Sequence, residues 1–360
     1  MRRLAFAALA LLTALPGLAH AEDWSKRATE RDIQLKDVTF ADGERMAQVR
    51  MHVTTFGTPH RDAKGQIDNA VMVLHGTGGD GHQFYRAQFA DELYGPGQPF
   101  DIATHYVILP DNVGHGKSSK PSDGLRMAFP KYDYADMVAL QRRMLAEGLG
   151  VNTLQVILGT SMGCMHAFVW GEAHPGFARR LAPFACNAVE LAGRNRVWRK
   201  MSIDAIEADP LWNGGNYTAQ PAQGLRTMRD LSLIAGGSPL AWQFFQPTRA
   251  KAEAFLAQSE TAYAATANDA NDTIYQLDAS RNYDPSRALE KITVPLLWIN
   301  SADDFINPPE LGLAEKLVRR MPRARFVLIP ASPETKGHGT HTWAVFWKAD
   351  LAKLLAEDVK

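Results

Sequence analysis

Short runs of aliphatic and β-branched residues alternate with longer amphipathic stretches along most of the chain. Six of these runs predict buried strands, at residues 71–74, 106–109, 154–158, 181–184, 295–299 and 326–329. Several runs are apolar at every position, which is typical of parallel strands covered by helices on both faces. The alternation therefore predicts an α/β fold with a mostly parallel, doubly wound sheet.

Three further stretches complete the predicted domain, which spans residues 22–360. Residues 38–40 and 46–55 predict an antiparallel pair at the edge of the sheet, and residues 343–355, with apolar side chains at spacings of three and four, predict a closing helix. From about 188 to 287 helix formers and aromatic residues dominate and no strand pattern is evident. Because this stretch lies between two predicted strands, it predicts a helical cap over the carboxyl edge of the sheet.

The amino-terminal segment has the pattern of a secretory signal peptide. Two arginines precede an apolar run, Pro16 interrupts it, and residues 19–21 read Ala-His-Ala, the small-x-small pattern that signal peptidase requires. We therefore expect cleavage after Ala21 and a periplasmic or secreted protein with no membrane anchor. A buried amino-terminal helix is the alternative.

Composition limits the classes of partner and site. The chain has 360 residues, 46% hydrophobic and 22% charged, and its 39 basic residues balance 39 acidic ones, so charge gives no reason to expect a nucleic-acid partner. With only Cys164 and Cys186, a multi-cysteine metal site is excluded. The apolar flanks of both cysteines favour buried free thiols, although export would permit a disulfide.

The strongest chemical motif lies directly after the third predicted strand. Residues 159–163 read Gly-Thr-Ser-Met-Gly, a G-x-S-x-G pentapeptide between a buried strand and a helix pattern. A tight strand-to-helix turn of this kind requires glycines at its flanks and lifts the Ser161 hydroxyl clear of the backbone. Ser161 is therefore the candidate nucleophile, and a packing turn with an idle serine is the alternative.

A serine nucleophile needs a base and an acid that orients the base, and here both should follow the serine on late loops. Asp303 and Asp304 follow the strand 295–299, and the pattern Asp-x-Ile-x-Pro favours Asp304. His338 lies in a glycine-flanked bend before the last helix, and His341 is its rival. The histidines lack carboxylate or cysteine partners at ligand spacing, so no metal is expected.

The oxyanion hole needs two backbone donors. One is the residue after the nucleophile, Met162. The other should come from residues 76–81, where four glycines in six positions let the backbone curl towards the serine, and Thr77 is the expected donor. A flexible glycine-rich turn is the alternative.

With these motifs the chain resembles the α/β-hydrolase superfamily and, more narrowly, the homoserine O-acetyltransferase family. Residues 205–217 and 221–229 match that family's cap pattern of Ala-Ile, Asp-Pro, Gly-x-Tyr, Gly-Leu and an arginine. The resemblance implies that Ser161 is the nucleophile, Asp304 the acid and His338 the base. It also implies that Arg229 anchors a substrate carboxylate, whereas a surface helix arginine is the alternative.

Two positions depart from the family pattern. The aspartate that usually follows the catalytic histidine is Gly339, and a tyrosine seven residues after the arginine is Gly236. Export also separates the protein from acetyl-CoA. We therefore predict a serine hydrolase that cleaves a carboxylic ester or related acyl bond of a small molecule through an acyl-enzyme, without a cofactor.

Two other functions stay open. One is an O-acyltransferase of the homoserine O-acetyltransferase type, and the other is a non-catalytic binding protein on the same fold. A homodimer is also open, because no pattern along the chain decides the oligomeric state.

Overall fold

The structure of the protein is a computed structural model that describes residues 22–264, 266 and 268–359. The predicted signal peptide, residues 1–21, lies outside the described residues. Among the helices that the structure does describe, none has the length and apolar character needed to cross a membrane.

Eight strands form one sheet. In chain order they are β1 (Thr29–Thr39), β2 (Arg45–Phe56), β3 (Ala70–Leu74), β4 (Tyr106–Pro110), β5 (Val156–Thr160), β6 (Leu181–Phe184), β7 (Leu296–Ser301) and β8 (Ala324–Ile329). Their spatial order is β1-β2-β4-β3-β5-β6-β7-β8. β2 is antiparallel to both of its neighbours, and the six strands from β4 to β8 are parallel. The predicted α/β class, the mostly parallel sheet and the antiparallel edge pair are confirmed.

Helices cover both faces of this sheet. The α-helices are α1 (Ala87–Leu93), α2 (Tyr134–Arg143), α3 (Met162–Ala173), α4 (Gly193–Glu207), α5 (Ala222–Gly236), α6 (Pro239–Phe245), α7 (Arg249–Ala264), α8 (Ala270–Asp278), α9 (Leu313–Leu317) and α10 (Lys348–Leu355). Because side chains alternate along a strand, Met72 of β3 packs in the layer of α2, α3 and α9, while Val73 packs in the layer of α1 and α10. The sheet is therefore buried on both faces, as its apolar strands require.

The stretch between β6 and β7 contains helices α4 to α8 and no strand among its described residues. Three of these helices share a small hydrophobic core of their own, formed by Ile203, Ile206, Leu225, Met228, Ala270, Ile274 and Leu277. Side chains from this insertion and from the strand ends line one common cavity, so it lies over the carboxyl edge of the sheet.

Several element boundaries differ from the prediction. The largest difference is at β1, which begins at Thr29 rather than at residue 38. β5 begins and ends two residues later than predicted, because Leu154 makes only an isolated bridge to Ala178, whereas Thr160 still pairs with β6. The closing helix begins at Lys348, five residues late, because short 3₁₀ turns occupy Gly337–Thr342 and the residues after it. The ring of Trp347 is buried against α1 and β6, so side-chain packing outweighs the helical pattern here.

The two cysteines form a disulfide, so the prediction of free thiols is wrong. Cys164 lies in the first turn of α3, directly after β5, and Cys186 lies just beyond the end of β6. Because β5 and β6 are neighbouring strands, the two Cα atoms come within 5.9 Å, inside the range that a disulfide spans. The bond ties the helix that follows Ser161 to the adjacent strand end.

Candidate active site

The sequence-predicted site residues lie on loops that leave the sheet at one edge. Thr77 follows β3, Ser161 follows β5, Asp304 follows β7 and His338 follows β8. β3 and β5 are neighbours in the sheet, and the chain leads from β3 to β4 on one side and from β5 to β6 on the other, which leaves a crevice at the carboxyl ends of β3 and β5. The site lies at this crevice.

Ser161 sits on a strained turn between β5 and α3. Its φ of 55° and ψ of −109° lie in a region that side chains rarely occupy. A Cβ on Gly159 would overlap the Gly163 carbonyl, and one on Gly163 would overlap the Leu74 carbonyl. The two glycines of the pentapeptide are thus required by close backbone contacts, and the turn presents the Ser161 hydroxyl to the cavity.

Ser161, His338 and Asp304 form a hydrogen-bonded chain. Oγ of Ser161 lies 2.8 Å from Nε2 of His338, and Nδ1 of His338 lies 2.8 Å from Oδ2 of Asp304. The fully buried Asp304 also accepts hydrogen bonds from the backbone and side-chain amides of Asn307. With its Nδ1–H donated to the carboxylate, the imidazole leaves the Nε2 lone pair to accept the serine proton.

The environment of Asp304 favours its ionised form. Burial alone would raise the pKa of Asp304, but the nearby imidazole of His338 and the hydrogen bonds from His338 and Asn307 hold that pKa below its usual value. An ionised carboxylate at this place would stabilise an imidazolium formed by proton transfer from Ser161 to His338.

The two rival residues have other contacts. Asp303 accepts hydrogen bonds from the Thr335 hydroxyl at 2.7 Å and the Gly337 amide at 3.1 Å, so it holds the loop that carries the histidine. His341 is buried and donates from Nδ1 to the carbonyl of His338. Burial, followed by the nearby His338, lowers the pKa of His341 to about 3, so its ring is neutral. The structure therefore brings Asp304 and His338 to Ser161, and leaves Asp303 and His341 to support them.

The glycine-rich loop after β3 lies against the serine. A Cβ added to Gly76 would be 3.4 Å from Cβ and 3.9 Å from Oγ of Ser161. Within the described part of the chain, neither the Thr77 amide nor the Met162 amide donates a hydrogen bond to protein. Two free amides beside the nucleophile are the arrangement that an oxyanion hole needs.

Two buried histidines to which the sequence analysis assigns no role hold this loop. His75 lies 2.8 Å through Nδ1 from the Gly76 carbonyl, and His115 lies 2.8 Å through Nε2 from the Thr77 carbonyl. Burial lowers the pKa of His115 to about 3, so this ring is neutral and donates a single proton. His75 follows β3 directly, which is a signal for a site residue, but both histidines contact backbone carbonyls, and no side-chain motif reveals such partners.

The site opens into one large cavity of about 1490 Å³ between the sheet edge and the cap. Arg229 of α5 lines it and is only 6% exposed, so the alternative of a surface arginine is wrong. Its Nη2 contacts Asp230 and, at 3.6 Å, Glu260, while its Nε and Nη1 are buried and have no hydrogen-bond partner among the described residues. Two nitrogens of this guanidinium are thus buried at the cavity wall with unsatisfied hydrogen-bonding capacity.

The two positions that depart from the family pattern leave space around the site. Gly236 lines the cavity, and a Cβ added there would meet nothing within 4 Å. At Gly339 an added Cβ would meet only Lys336, at 3.6 Å. The backbone at both positions therefore leaves room for the first atom of a side chain, and steric crowding does not explain why glycine stands there.

The amino-acid sequence is similar to proteins of a known family. A family model described as the alpha/beta hydrolase fold matches residues 69–334. The chain is 28% identical over 320 residues to a homoserine O-acetyltransferase of Carboxydothermus hydrogenoformans, with 77% of this chain and 83% of the relative covered.

Two solved structures share the fold at low sequence identity. A homoserine O-acetyltransferase from Bacillus anthracis has a TM-score of 0.79 at 22% identity and covers 92% of this chain and 99% of that one. An acetylester hydrolase from Corynebacterium glutamicum has a TM-score of 0.80 at 19% identity, with 91% and 96% covered.

The neighbouring aspartates give a matched test of the site. We expect Asp304→Asn to lower kcat/KM for an acyl ester by about 10³–10⁴, because the amide cannot stabilise the imidazolium. Asp303→Asn, which weakens only contacts to the supporting loop, should cause a much smaller loss. Steady-state kinetics of both variants, with thermal unfolding to confirm that each is folded, would check this. Equal losses, or a larger loss in Asp303→Asn, would contradict the assignment.

Proposed function

The chain belongs to the α/β-hydrolase fold family, and on this basis we propose that it transfers a short acyl group from an activated ester or thioester to the hydroxyl of an anionic small molecule. The residues alone favour hydrolysis, but the comparisons support transfer better. The relative from Carboxydothermus hydrogenoformans, which is aligned over most of both chains, is a homoserine O-acetyltransferase, whereas the acetylester hydrolase is a structural neighbour below 25% identity and supports only the fold.

The proposed reaction has two steps through an acyl-enzyme. Oγ of Ser161 attacks the acyl carbonyl as His338 takes its proton, Asp304 stabilises the imidazolium, and the amides of Thr77 and Met162 receive the oxyanion. The carbonyl re-forms, the leaving group departs with the proton from His338, and the acyl group stays on Ser161. His338 then takes the proton of the acceptor hydroxyl as its oxygen attacks the acyl carbonyl. When this second oxyanion collapses, the bond to Oγ of Ser161 breaks and His338 returns the proton to Oγ, which releases the new ester and restores the free enzyme.

The main observation in favour of acyl transfer is the buried and only partly paired guanidinium of Arg229. Arg229 lines the same cavity as the nucleophile, and two of its buried guanidinium nitrogens have no partner among the described residues. Buried donors are normally satisfied, and a carboxylate on the acceptor would satisfy both. The Tyr263 hydroxyl lies in the same wall, also without a protein partner, and burial raises its pKa to about 12 although the Arg229 charge opposes this shift. Tyr263 is therefore a protonated donor beside Arg229, whereas water as acceptor would need neither group.

One observation favours hydrolysis as a second candidate. With glycine at 236 and 339, the chain lacks two side chains that the resembled family uses to hold the substrate amine, and both positions leave room around them. A wide cavity admits water to the acyl-enzyme, and hydrolysis then competes with transfer. The third possibility, a non-catalytic binding protein, is hard to reconcile with the hydrogen-bonded chain from Ser161 to Asp304.

The main test measures the fate of the acyl group. The purified protein is given p-nitrophenyl acetate with and without L-homoserine, and O-acetylhomoserine and acetate are quantified together. We expect the acetylated alcohol to exceed acetate at saturating acceptor, and Ser161→Ala to abolish both products and labelling by a fluorophosphonate probe. Acetate alone at every acceptor concentration would replace transfer by hydrolysis. Labelling that survives in Ser161→Ala would remove the nucleophile.

A second test concerns the anion anchor. We expect Arg229→Met to raise the KM for the acceptor by roughly tenfold to a hundredfold, because a charge-assisted hydrogen bond contributes about 1.5–3 kcal/mol. Arg226→Met is the matched control, since Arg226 is exposed on the same helix and pairs with the same Glu260. Initial rates against acceptor concentration give the comparison. An unchanged acceptor KM in Arg229→Met, or an equal rise in the control, would contradict the anchor.

We also propose that the protein is exported after cleavage following Ala21. The disulfide supports this proposal, because such bonds persist mainly in oxidising compartments.

The export proposal predicts the mass and stability of the mature protein. Protein recovered from the periplasm or medium should begin at Glu22 and be two hydrogen atoms lighter than its reduced form by intact mass spectrometry. The oxidised form should exceed a Cys164→Ala/Cys186→Ala variant by about 2–4 kcal/mol in the free energy of unfolding, since the bond closes a 22-residue span. An uncleaved chain confined to the cytoplasm would contradict export.

A further inference from the structure

Arg199 of the cap helix α4 is a buried cation with no carboxylate partner among the described residues. It is 2% exposed and lines the cavity, and its hydrogen bonds go to uncharged acceptors. Burial lowers the pKa of this guanidinium, because the charged form has lost its water. Removing a cation from water without a counter-charge is costly, and such groups are concentrated at functional sites.

All three guanidinium nitrogens of Arg199 already have neutral acceptors. Nε donates to the Asn195 side chain at 3.1 Å, Nη1 to the Leu277 carbonyl at 3.3 Å and Nη2 to the Thr77 hydroxyl at 3.2 Å. Arg199 differs in this respect from Arg229, which keeps two nitrogens free. We therefore expect Arg199 to orient the residues that accept its hydrogen bonds rather than to bind a ligand directly.

The hydrogen bond from Arg199 to the Thr77 hydroxyl connects the buried guanidinium charge to the expected oxyanion hole. Thr77 is held at its carbonyl by His115 and at its hydroxyl by Arg199, while its amide, next to Gly76, donates no hydrogen bond to the described part of the chain. We propose that Arg199 is a positioning residue of the oxyanion hole: it fixes the Thr77 amide and places a positive charge behind it. This inference rests on the proposed acyl transfer.

The proposal also explains why the cap and the nucleophile belong to one site. Arg199 lies on a cap helix, and Thr77 lies on the loop after β3, so this hydrogen bond joins the cap to the oxyanion hole. An oxyanion that forms near the Thr77 amide would give the buried cation the counter-charge that it lacks. Attraction of this kind is strong in a dry site, and it acts in the transition state rather than on the neutral substrate.

The test compares transition-state and ground-state effects in Arg199→Met. We expect the rate constant for acetylation of Ser161 to fall about tenfold to a hundredfold, less than for outright loss of an oxyanion donor. The KM for p-nitrophenyl acetate should change little. Affinity for phenylboronic acid, whose adduct with serine is tetrahedral and anionic, should fall by a similar factor. Arg199→Lys, which keeps the charge, should recover part of both losses.

The matched control is Arg196→Met. Arg196 lies three residues earlier on the same helix and pairs with Asp278 at 3.3 Å, so this change also removes a helix arginine but leaves Thr77 untouched. Its acetylation rate and boronate affinity should stay close to those of the wild type. Equal effects of the two arginine variants, or an unchanged boronate affinity in Arg199→Met, would overturn the proposal.

A second variant covers the case in which Arg199→Met does not fold. Thr77→Val removes the hydroxyl that accepts from Arg199 but keeps the amide and a similar shape, and it should reduce acetylation and boronate affinity together. In the double variant the two effects should not add, because both break the same contact. A wild-type acetylation rate in Thr77→Val, or full additivity, would contradict a role through Thr77. Boronate binding needs no turnover, so it tests the role of Arg199 even if the wild type does not transfer acyl groups. Failure of the proposed acyl transfer would appear in the products of the wild type instead.

Discussion

The strained turn at Ser161 is the constraint on which the rest of the site depends. The helix α3 can approach the end of β3 only because Gly163 has no side chain against the Leu74 carbonyl, and Gly159 is confined in the same way by Gly163. This approach forces the serine to a φ of 55° and points its hydroxyl away from the helix. Packing of the strand and helix on both sides, with the Cys164–Cys186 bond, maintains a backbone conformation that would relax in a free peptide.

Much of this site could be predicted from the sequence, because its signals are local. Apolar runs identify the parallel strands, and their carboxyl ends must meet at one edge, which brings Ser161, Asp304 and His338 together before any distance is known. The choice of Asp304 over Asp303 also followed from a local pattern, since the backbone amides that hold Asp304 come from the next few residues.

The parts that could not be predicted depend on contacts between distant segments. The disulfide required the knowledge that β5 and β6 are neighbours, which local apolarity does not reveal. The buried guanidinium of Arg199 depends on acceptors from two distant segments, Leu277 and Thr77, besides Asn195 of its own helix, and a helix pattern alone places arginine on the surface by default. The late start of α10 has a similar origin, because burial of Trp347 against two other elements outweighs a good helical periodicity.

The two buried arginines suggest how one acyl-enzyme could prefer an alcohol to water. Both reactions start from the same acylated serine, and water is far more abundant than any metabolite, so transfer needs an acceptor held in place at high effective concentration. Arg229, with two free donors, would supply that anchor, whereas Arg199, with none free, would act on the charge that both reactions develop. The oxyanion hole would therefore set the rate of acylation, and the anchor in the cap would set the partition between acceptors. The lack of side chains at Gly236 and Gly339 would increase the share of hydrolysis. An acceptor held only at its carboxylate samples more positions than one held at both of its ends, so its hydroxyl meets the acyl group less often.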